Sequence, residues 1–231
     1  MILNENIEIT NEDNMVLMAR YPDNYFDLAV VDPPYGINLG KKGTIGKKGK
    51  TNSITKYSKS NWDSEIPNKT YFNELSRVSK NQIIWGGNYF IEHLNNTPCV
   101  LFWSKQYIPA GFSMADCEMA WTSFNTSSKM VRVAIEHNNI SNNPRKAKIK
   151  AKIHQAQKPV ALYEWIFKNY ADNDFKILDT HLGSGNIVKA LDRVNKYDKM
   201  NLSIVACEID KENFEKSIER IKIELLNKTL F

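Results

Sequence analysis

The sequence predicts one α/β domain, a mostly parallel sheet of six or seven strands with helices on both faces. Three observations carry that prediction. Short apolar runs such as Phe26 to Val31 and Ile177 to Thr180 read as strands buried on both sides. They alternate with amphipathic stretches of helical spacing, such as Asn68 to Val78 and Lys158 to Tyr170. Several of the strands stop abruptly at Asp-Pro, Gly-Gly or Glu, where an open parallel sheet presents its ligand-binding rim.

In chain order, Asn6 to Thr10 alternates apolar and polar residues and reads as a short strand. Asp13 can cap a short helix carrying Met15, Leu17 and Met18. A turn at Tyr21 to Asn24 leads into the strand Phe26 to Val31. Residues 36–61 hold four glycines after Gly36 and seven lysines, Lys41, Lys42, Lys47, Lys48, Lys50, Lys56 and Lys59, with no acidic residue. Such a stretch cannot bury a core and is expected to be a mobile basic loop. Asn68 caps a helix with Tyr71, Phe72, Leu75 and Val78 on one face. Strands follow at Gln82 to Trp85, Val100 to Trp103, Cys117 to Trp121 and, at an edge, Met130 to Ile135, with a helix over Tyr89 to Leu94. The segment from Glu136 to Gln157 is polar and basic and includes Arg145, Lys146 and Lys148. Lys158-Pro159 opens a helix, with proline near its first turn. The strand Ile177 to Thr180, a helix to Val194, the strand Leu202 to Cys207 and a last helix over Lys211 to Asn227 complete the chain.

Composition bounds the function. The chain has 231 residues, 42% hydrophobic and 25% charged, and shows no internal repeat or linker, as expected of one domain. No run of eighteen apolar residues suggests a membrane span, and Met1 to Glu5 lacks a signal-peptide pattern, so a cytoplasmic location is expected. Cys99, Cys117 and Cys207 lie far apart without CxxC spacing, and the four histidines are scattered. Reduced thiols and no metal site are the expectation. The net charge of +5 is mild but unevenly spread.

Two constellations carry chemistry. The first is Asp32-Pro33-Pro34-Tyr35. Two prolines after a strand rule out both helix and ladder pairing and leave a rigid extended corner. It offers one carboxylate, one carbonyl at Pro33 and one aromatic ring. A planar amine can donate to the first two and stack on the third, which suits a nucleobase flipped out of its helix. An Asp-Pro turn capped by a core tyrosine is the bland alternative, and the tetrapeptide directly after an apolar strand favours the site. The second constellation is Asp179-Thr180-His181-Leu182-Gly183-Ser184-Gly185, where a strand turns into a helix. Glycines there admit a ligand close to the backbone and the helix start offers free N–H groups. Glu208 follows the glycines by about twenty residues, the spacing at which an acidic residue reaches ribose hydroxyls. With few glycines for a pyrophosphate, a nucleoside ligand such as S-adenosylmethionine fits better.

These residues resemble the DNA amino-methyltransferases acting on adenine N6 or cytosine N4, in the beta class, whose catalytic motif precedes its cofactor motif. Asp32 to Tyr35 resembles the catalytic tetrad, His154-Gln155-Ala156-Gln157-Lys158-Pro159 the H-x-x-Q-K-P element, and Asp179 to Gly185 the D-P-F-x-G-S-G element. Asn11-Glu12-Asp13-Asn14-Met15 resembles the G-D element, and Trp85-Gly86-Gly87-Asn88-Tyr89-Phe90 gives a small phage or prophage flavour. Thr180 and His181 depart from the usual Pro and Phe, and Glu12 from the usual Gly. The resemblance implies a Rossmann-like S-adenosylmethionine-dependent methyltransferase fold with a mostly parallel seven-stranded sheet. It implies catalysis by Asp32, Pro33, Pro34 and Tyr35. Cofactor binding falls to Asp13, Asp32, Lys158, Pro159, Asp179, His181, Gly183, Ser184, Gly185 and Glu208. DNA is the partner, met by the basic loop and by Arg145, Lys146 and Lys148, with a short target-recognition region over 122–157. Asp at the first motif position biases the target toward adenine N6, with cytosine N4 as the alternative. An RNA or protein amine methyltransferase usually has the opposite motif order. A non-catalytic DNA-binding protein on the same scaffold is disfavoured by the intact Asp32, Tyr35, Gly183 and Gly185. A homodimer and a partner restriction nuclease are both left open.

Overall fold

The computed structural model describes residues 1–39, 63–105, 115–134 and 157–226, with the backbone of 44–45 and 55–56. Its strands are β1 Ile2–Asn4, β2 Ile7–Thr10, β3 Phe26–Val31, β4 Thr44–Ile45, β5 Thr55–Lys56 and β6 Ser79–Trp85. After them come β7 Val100–Ser104, β8 Cys117–Thr122, β9 Lys129–Arg132, β10 Lys176–Asp179 and β11 Ser203–Cys207. The helices are α1 Asn14–Met18, α2 Lys69–Val78, α3 Val160–Tyr170, α4 Asn186–Tyr197 and α5 Lys211–Leu226.

Among the described residues the main sheet has nine strands, in the order β1-β2-β11-β10-β3-β6-β8-β7-β9. The expected count of seven is therefore corrected to nine. Of the two edge strands, β9 answers to the edge strand expected over Met130 to Ile135, and β1 alone was not expected. The hairpin partner β1 is three residues long and mostly exposed, so it carries no hydrophobic signal. Strand β9 has one buried residue in four. The run from β2 through β11, β10 and β3 to β6 is parallel throughout, and β8 is antiparallel to both its neighbours. The helix expected over Tyr89 to Leu94 is instead two 3-10 turns, Gly87–Tyr89 and Ile91–His93. Too few residues follow Gly86 to repay the nucleation cost of an α-helix. Pro159 is the cap residue of α3, one place before its first turn. Within the expected mobile loop, β4 and β5 form a two-stranded antiparallel pair. Past Leu39 the remainder of that loop, with the side chains of its seven lysines, lies outside the described residues, as do Arg145, Lys146, Lys148 and His154.

Two cores sandwich the sheet. Leu28 and Val30 point to the face covered by α3, α4 and α5, beside Ile166, Phe167, Leu191 and Ile221. Ala29 and Val31 point to the other face, beside Leu17 and Met18 of α1 and Phe72, Leu75 and Val78 of α2. This alternation is why β3 is apolar apart from Asp27, which takes Lys80 and the Lys176 N–H, and each fully buried large apolar side chain contributes about 1.5–3 kcal/mol. Asp13 caps α1, accepting from the N–H groups of Met15 and Val16, and Asn68 caps α2, accepting from Tyr71 N–H. Cys99 and Cys207 are buried free thiols, whereas Cys117 is exposed.

Candidate active site

The parallel strands deliver their carboxyl ends to one rim. Across it lie Asp13 after β2, Glu208 after β11, Asp179 at the end of β10, Asp32 after β3 and Gly86 after β6. From β3 the chain moves outward to β6, and from β10 it moves the other way to β11, so the strand order reverses between Asp32 and Asp179. That switch point is where open α/β sheets hold their ligands.

The Asp32 side chain is 16% exposed and ion-paired to Lys158, with Oδ2 to Nζ at 2.5 Å. Its Oδ1 accepts from the Tyr35 hydroxyl at 2.6 Å, and Lys158 Nζ donates to the same hydroxyl oxygen at 3.2 Å. The ammonium of Lys158, a residue expected beside the cofactor, reaches the Asp32 corner, 123 residues away in sequence from Tyr35. Asn186 at the start of α4 fixes its backbone by donating to the Lys158 carbonyl at 2.7 Å. Glu118 on β8 binds the same ammonium at 3.2 Å and pairs with Lys105 at 2.5 Å. Burial pushes the Asp32 carboxyl up, against the pull of Lys158 and with the push of Glu118. Glu118 is half-buried, but two ammonium groups, Lys158 and Lys105, hold it down at about 2. Burial beside Asp32 and Glu118 raises the Tyr35 phenol well above its ordinary range.

The corner is pinned by a residue that no motif pointed to. The Asp63 carboxylate accepts from the backbone N–H groups of Tyr35 at 2.7 Å, Gly36 at 2.9 Å and Leu39 at 2.8 Å. Tyr35 also stacks on Tyr89, with ring centroids 4.9 Å apart and planes 13° from parallel. Tyr89 is 42% exposed and extends that stack to the surface. Gly86 closes the other approach: it has φ +74°, and a Cβ there would lie 2.2 Å from a Tyr35 ring carbon. Gly86→Ala is therefore expected to destabilise the fold by about 2–4 kcal/mol, from left-handed backbone strain plus overpacking. Urea unfolding measures it; an unchanged midpoint would mean the Tyr35 ring yields without cost.

On the other side of the switch point, Asp179 is 3% exposed and accepts from His181 N–H at 3.0 Å. Burial pushes its carboxyl up to about 7, with Asp32 and Glu208 adding to the rise against that hydrogen bond and the more distant Lys158 ammonium. No cation pairs with it among the described residues. Glu208 accepts from Gly183 N–H at 2.9 Å and Asp210 N–H at 3.0 Å. Gly185, at φ +71°, caps α4 against Ile221, whose Cδ1 would lie 2.6 Å from an added Cβ. Burial holds His181 down at about 4, so it is neutral at pH 7. Asn14 Nδ2 donates to its Nε2 at 3.2 Å, which assigns the proton to Nδ1, bonded to Thr180 Oγ1 at 2.9 Å. Thr180 in turn meets the Tyr71 hydroxyl at 2.7 Å, and Tyr71 sits edge-on to His181. The departures from the usual Pro-Phe thus form one polar network that packs the loop. Ser184 and Pro159 are buried beside it.

The structure brings Asp32, Pro33, Pro34, Tyr35, Lys158, Asp179, His181, Gly183 and Glu208 to one rim. Asp13 is on the same rim but spends its carboxylate on the cap of α1. Sequence reasoning missed Asp63, Glu118 and Lys105, and met Gly86 only as a strand stop within the Trp85 to Phe90 element. A charge inside the otherwise apolar run Glu118 to Trp121 is the only sequence signal for any of the three charged ones.

Fold and rim together define the class, an α/β protein with acidic strand ends gathered at a switch point. The chain belongs to the N6_N4_Mtase family, described as DNA methylase, whose model matches residues 82–219. That match takes in Lys158, Asp179 and Glu208 and begins after the Asp32 corner. The PvuII DNA methyltransferase, described as cytosine-N4-specific, superposes with a TM-score of 0.60 at 13% identity, covering 94% of this chain and 86% of that one. M1.HpyAVI in complex with SAM superposes at 0.54 and 14% identity, covering 93% and 98%. At such identities the likeness speaks for the fold. No curated protein matches the sequence. No helix among the described residues is long and apolar enough to cross a membrane.

Proposed function

We propose that this chain is a single-domain, site-specific DNA methyltransferase that methylates the exocyclic N6 of a flipped adenine. The methyl donor is S-adenosylmethionine. The observation that carries the reading is the pair of carboxylates, Asp32 and Asp179, at the ends of adjacent parallel strands. One is partly open and the other is buried without a counter-cation.

The residues fit the cofactor. Lys158 acts on Asp179 only at a distance, no described cation pairs with it, and an amino-acid ammonium supplies that partner. Glu208 stands at the end of the neighbouring strand to take ribose hydroxyls, with Gly183, Ser184 and Gly185 offering backbone along the ligand's edge. His181 packs the loop as a neutral ring, Pro159 backs it, and Asp13 fixes α1 so that Asn14 reaches His181. When bound, S-adenosylmethionine supplies a methyl group made electrophilic by a positively charged sulfur.

The target side works on the amine. An exocyclic amine is a poor nucleophile because its lone pair is conjugated with the ring. Hydrogen bonds to Asp32 and to the Pro33 carbonyl favour a pyramidal nitrogen and ease the positive charge that develops on it. A carboxylate has about four lone-pair positions, so Asp32 can accept the amine while keeping Lys158 and Tyr35. Pro34 stiffens the corner, and Tyr35, backed by Gly86 and continued by Tyr89, is the stacking platform for the base. Alignment of nitrogen with the methyl group supplies most of the rate. The lysines of 36–61 and Arg145, Lys146 and Lys148 clamp phosphates, and 122–157 serves as the target-recognition region.

The order of the motifs, Asp32 corner before Asp179 loop, supports the beta class, and the Trp85 to Phe90 element a phage or prophage type. The adenine assignment rests on Asp32 at the first motif position. Mass spectrometry of nucleosides from treated DNA tests it. N6-methyladenine is the expected product, at one sequence context. N4-methylcytosine alone would transfer the same corner to the other base.

A further inference from the structure

Four alternating charges run away from the proposed base site: the Asp32 carboxylate, the Lys158 ammonium, the Glu118 carboxylate and the Lys105 ammonium. The links are 2.5 Å, 3.2 Å and 2.5 Å long. Aromatic rings wall the chain. Lys158 Nζ lies 5.3 Å from the Trp85 ring centre and 5.7 Å from that of Tyr35, and Lys105 Nζ lies 5.3 Å from that of Trp103. Both ammonium groups are almost fully buried, at 2% and 4% exposure. The carriers are rigid, since Glu118 stands opposite Trp103 in the β7–β8 ladder and Ala120 opposite Trp85 in β6–β8. A buried ion-pair chain is a poor way to stabilise a fold, because apolar residues of equal volume serve as well or better. Its distinctive property is electrostatic.

We propose that Glu118 and Lys105 are positioning residues that set the charge on Asp32 by controlling how much of Lys158 it receives. Lys158 is shared between two carboxylates. Lys105 lies nearer to Glu118 than Lys158 does, and so satisfies Glu118 and leaves Lys158 to Asp32. Asp32 needs that cation. The other titratable groups facing it are Tyr35 from its own corner, Glu118 from β8, Asp179 from β10 and Tyr71 from α2, all neutral or negative. Without Lys105, Glu118 draws Lys158 away, and Asp32 takes up a proton more readily. Without the charge on Glu118, Lys158 belongs to Asp32 alone, and Asp32 stays ionised to lower pH. The inference rests on the reading of Asp32 as the acceptor of the target amine in its ionised form.

The test is the pH dependence of kcat at saturating DNA and S-adenosylmethionine. Lys105→Met is expected to move the acid limb of the profile to higher pH and Glu118→Gln to lower pH, each by on the order of one unit. Calorimetric affinity for S-adenosylmethionine should stay unchanged in both, and Lys105→Arg should restore the wild-type limb. Limbs that coincide with the wild type, or move in the same direction, overturn the proposal, since a purely structural role predicts only a lower thermal midpoint. Should Lys105→Met fail to fold, Glu118→Gln decides alone, and a limb that does not fall refutes it. Asp32→Asn separates the two readings. If it turns over at the wild-type rate with the wild-type limb, the role of Asp32 fails. If it loses the limb while Glu118→Gln and Lys105→Met leave it in place, only the charge chain fails.

Discussion

Asp32→Ala is expected to lower single-turnover methyl transfer on the order of a thousand-fold. The dissociation constant for S-adenosylmethionine should stay within about threefold of wild type, about half of the roughly 1.4 kcal/mol that each factor of ten represents. The asymmetry follows from position. Asp32 ends β3, whereas the proposed cofactor side is built on β10, β11 and the loop between β10 and α4. The hydrogen bond lost is one that strengthens as the amine becomes cationic, so it belongs to the transition state more than to the bound ground state. Removing the carboxylate also strands Lys158, although Glu118 remains as a partner at 3.2 Å. Leaving a buried charge short of a partner is costly, so Asp32→Asn is the companion variant. It keeps an acceptor oxygen and the side-chain shape, and should retain more activity than alanine. Tritiated cofactor with a DNA substrate reads the rate, and titration calorimetry reads binding. Loss of cofactor binding in folded variants with little loss of rate per bound complex would mean that the corner serves the cofactor.

Glu208→Ala is expected to weaken S-adenosylmethionine binding by about a hundredfold, two charge-assisted hydrogen bonds to ribose at the lower end of their usual worth. Here the carboxylate already accepts from Gly183 and Asp210 backbone N–H groups, so it joins the glycine loop to the end of β11. Burial pushes the Glu208 carboxyl up, opposed by those backbone donors. The alanine variant therefore loosens the loop as well as removing the acceptor. Thermal unfolding without cofactor measures the first effect and calorimetry the second. Unchanged affinity in a folded variant would remove Glu208 from the cofactor site.

Much of the fold was legible because its signals are local. Phe26 to Val31 is apolar on both faces except at Asp27, and both faces are buried from Leu28 on. Asp13 and Asn68 were readable as caps because a side-chain acceptor two or three residues ahead of free N–H groups is a short-range arrangement. The edge strand β1 escaped because three exposed residues have no period. The supposed helix after Gly86 failed because turn-length helices are decided by what packs on them, here Phe72 and Tyr35 against Phe90.

By itself the sequence determined the rigid Asp32 corner, the glycine loop after Asp179 and the acidic end at Glu208. Each follows from backbone chemistry within a few residues: proline without an N–H, glycine at positive φ, a strand stopped by a charge. Only the tertiary structure decided what stands beside these groups. Strand order put Asp32 next to Asp179, and it brought Lys158, Glu118 and Lys105 to one buried charge chain from three distant segments. It also placed Asp63 under the backbone of Tyr35 and Gly36. Ion pairs and buried carboxylates have no period along a chain. Their partners are chosen by the crossing of strands and the exclusion of water, which exist only once the sheet has assembled.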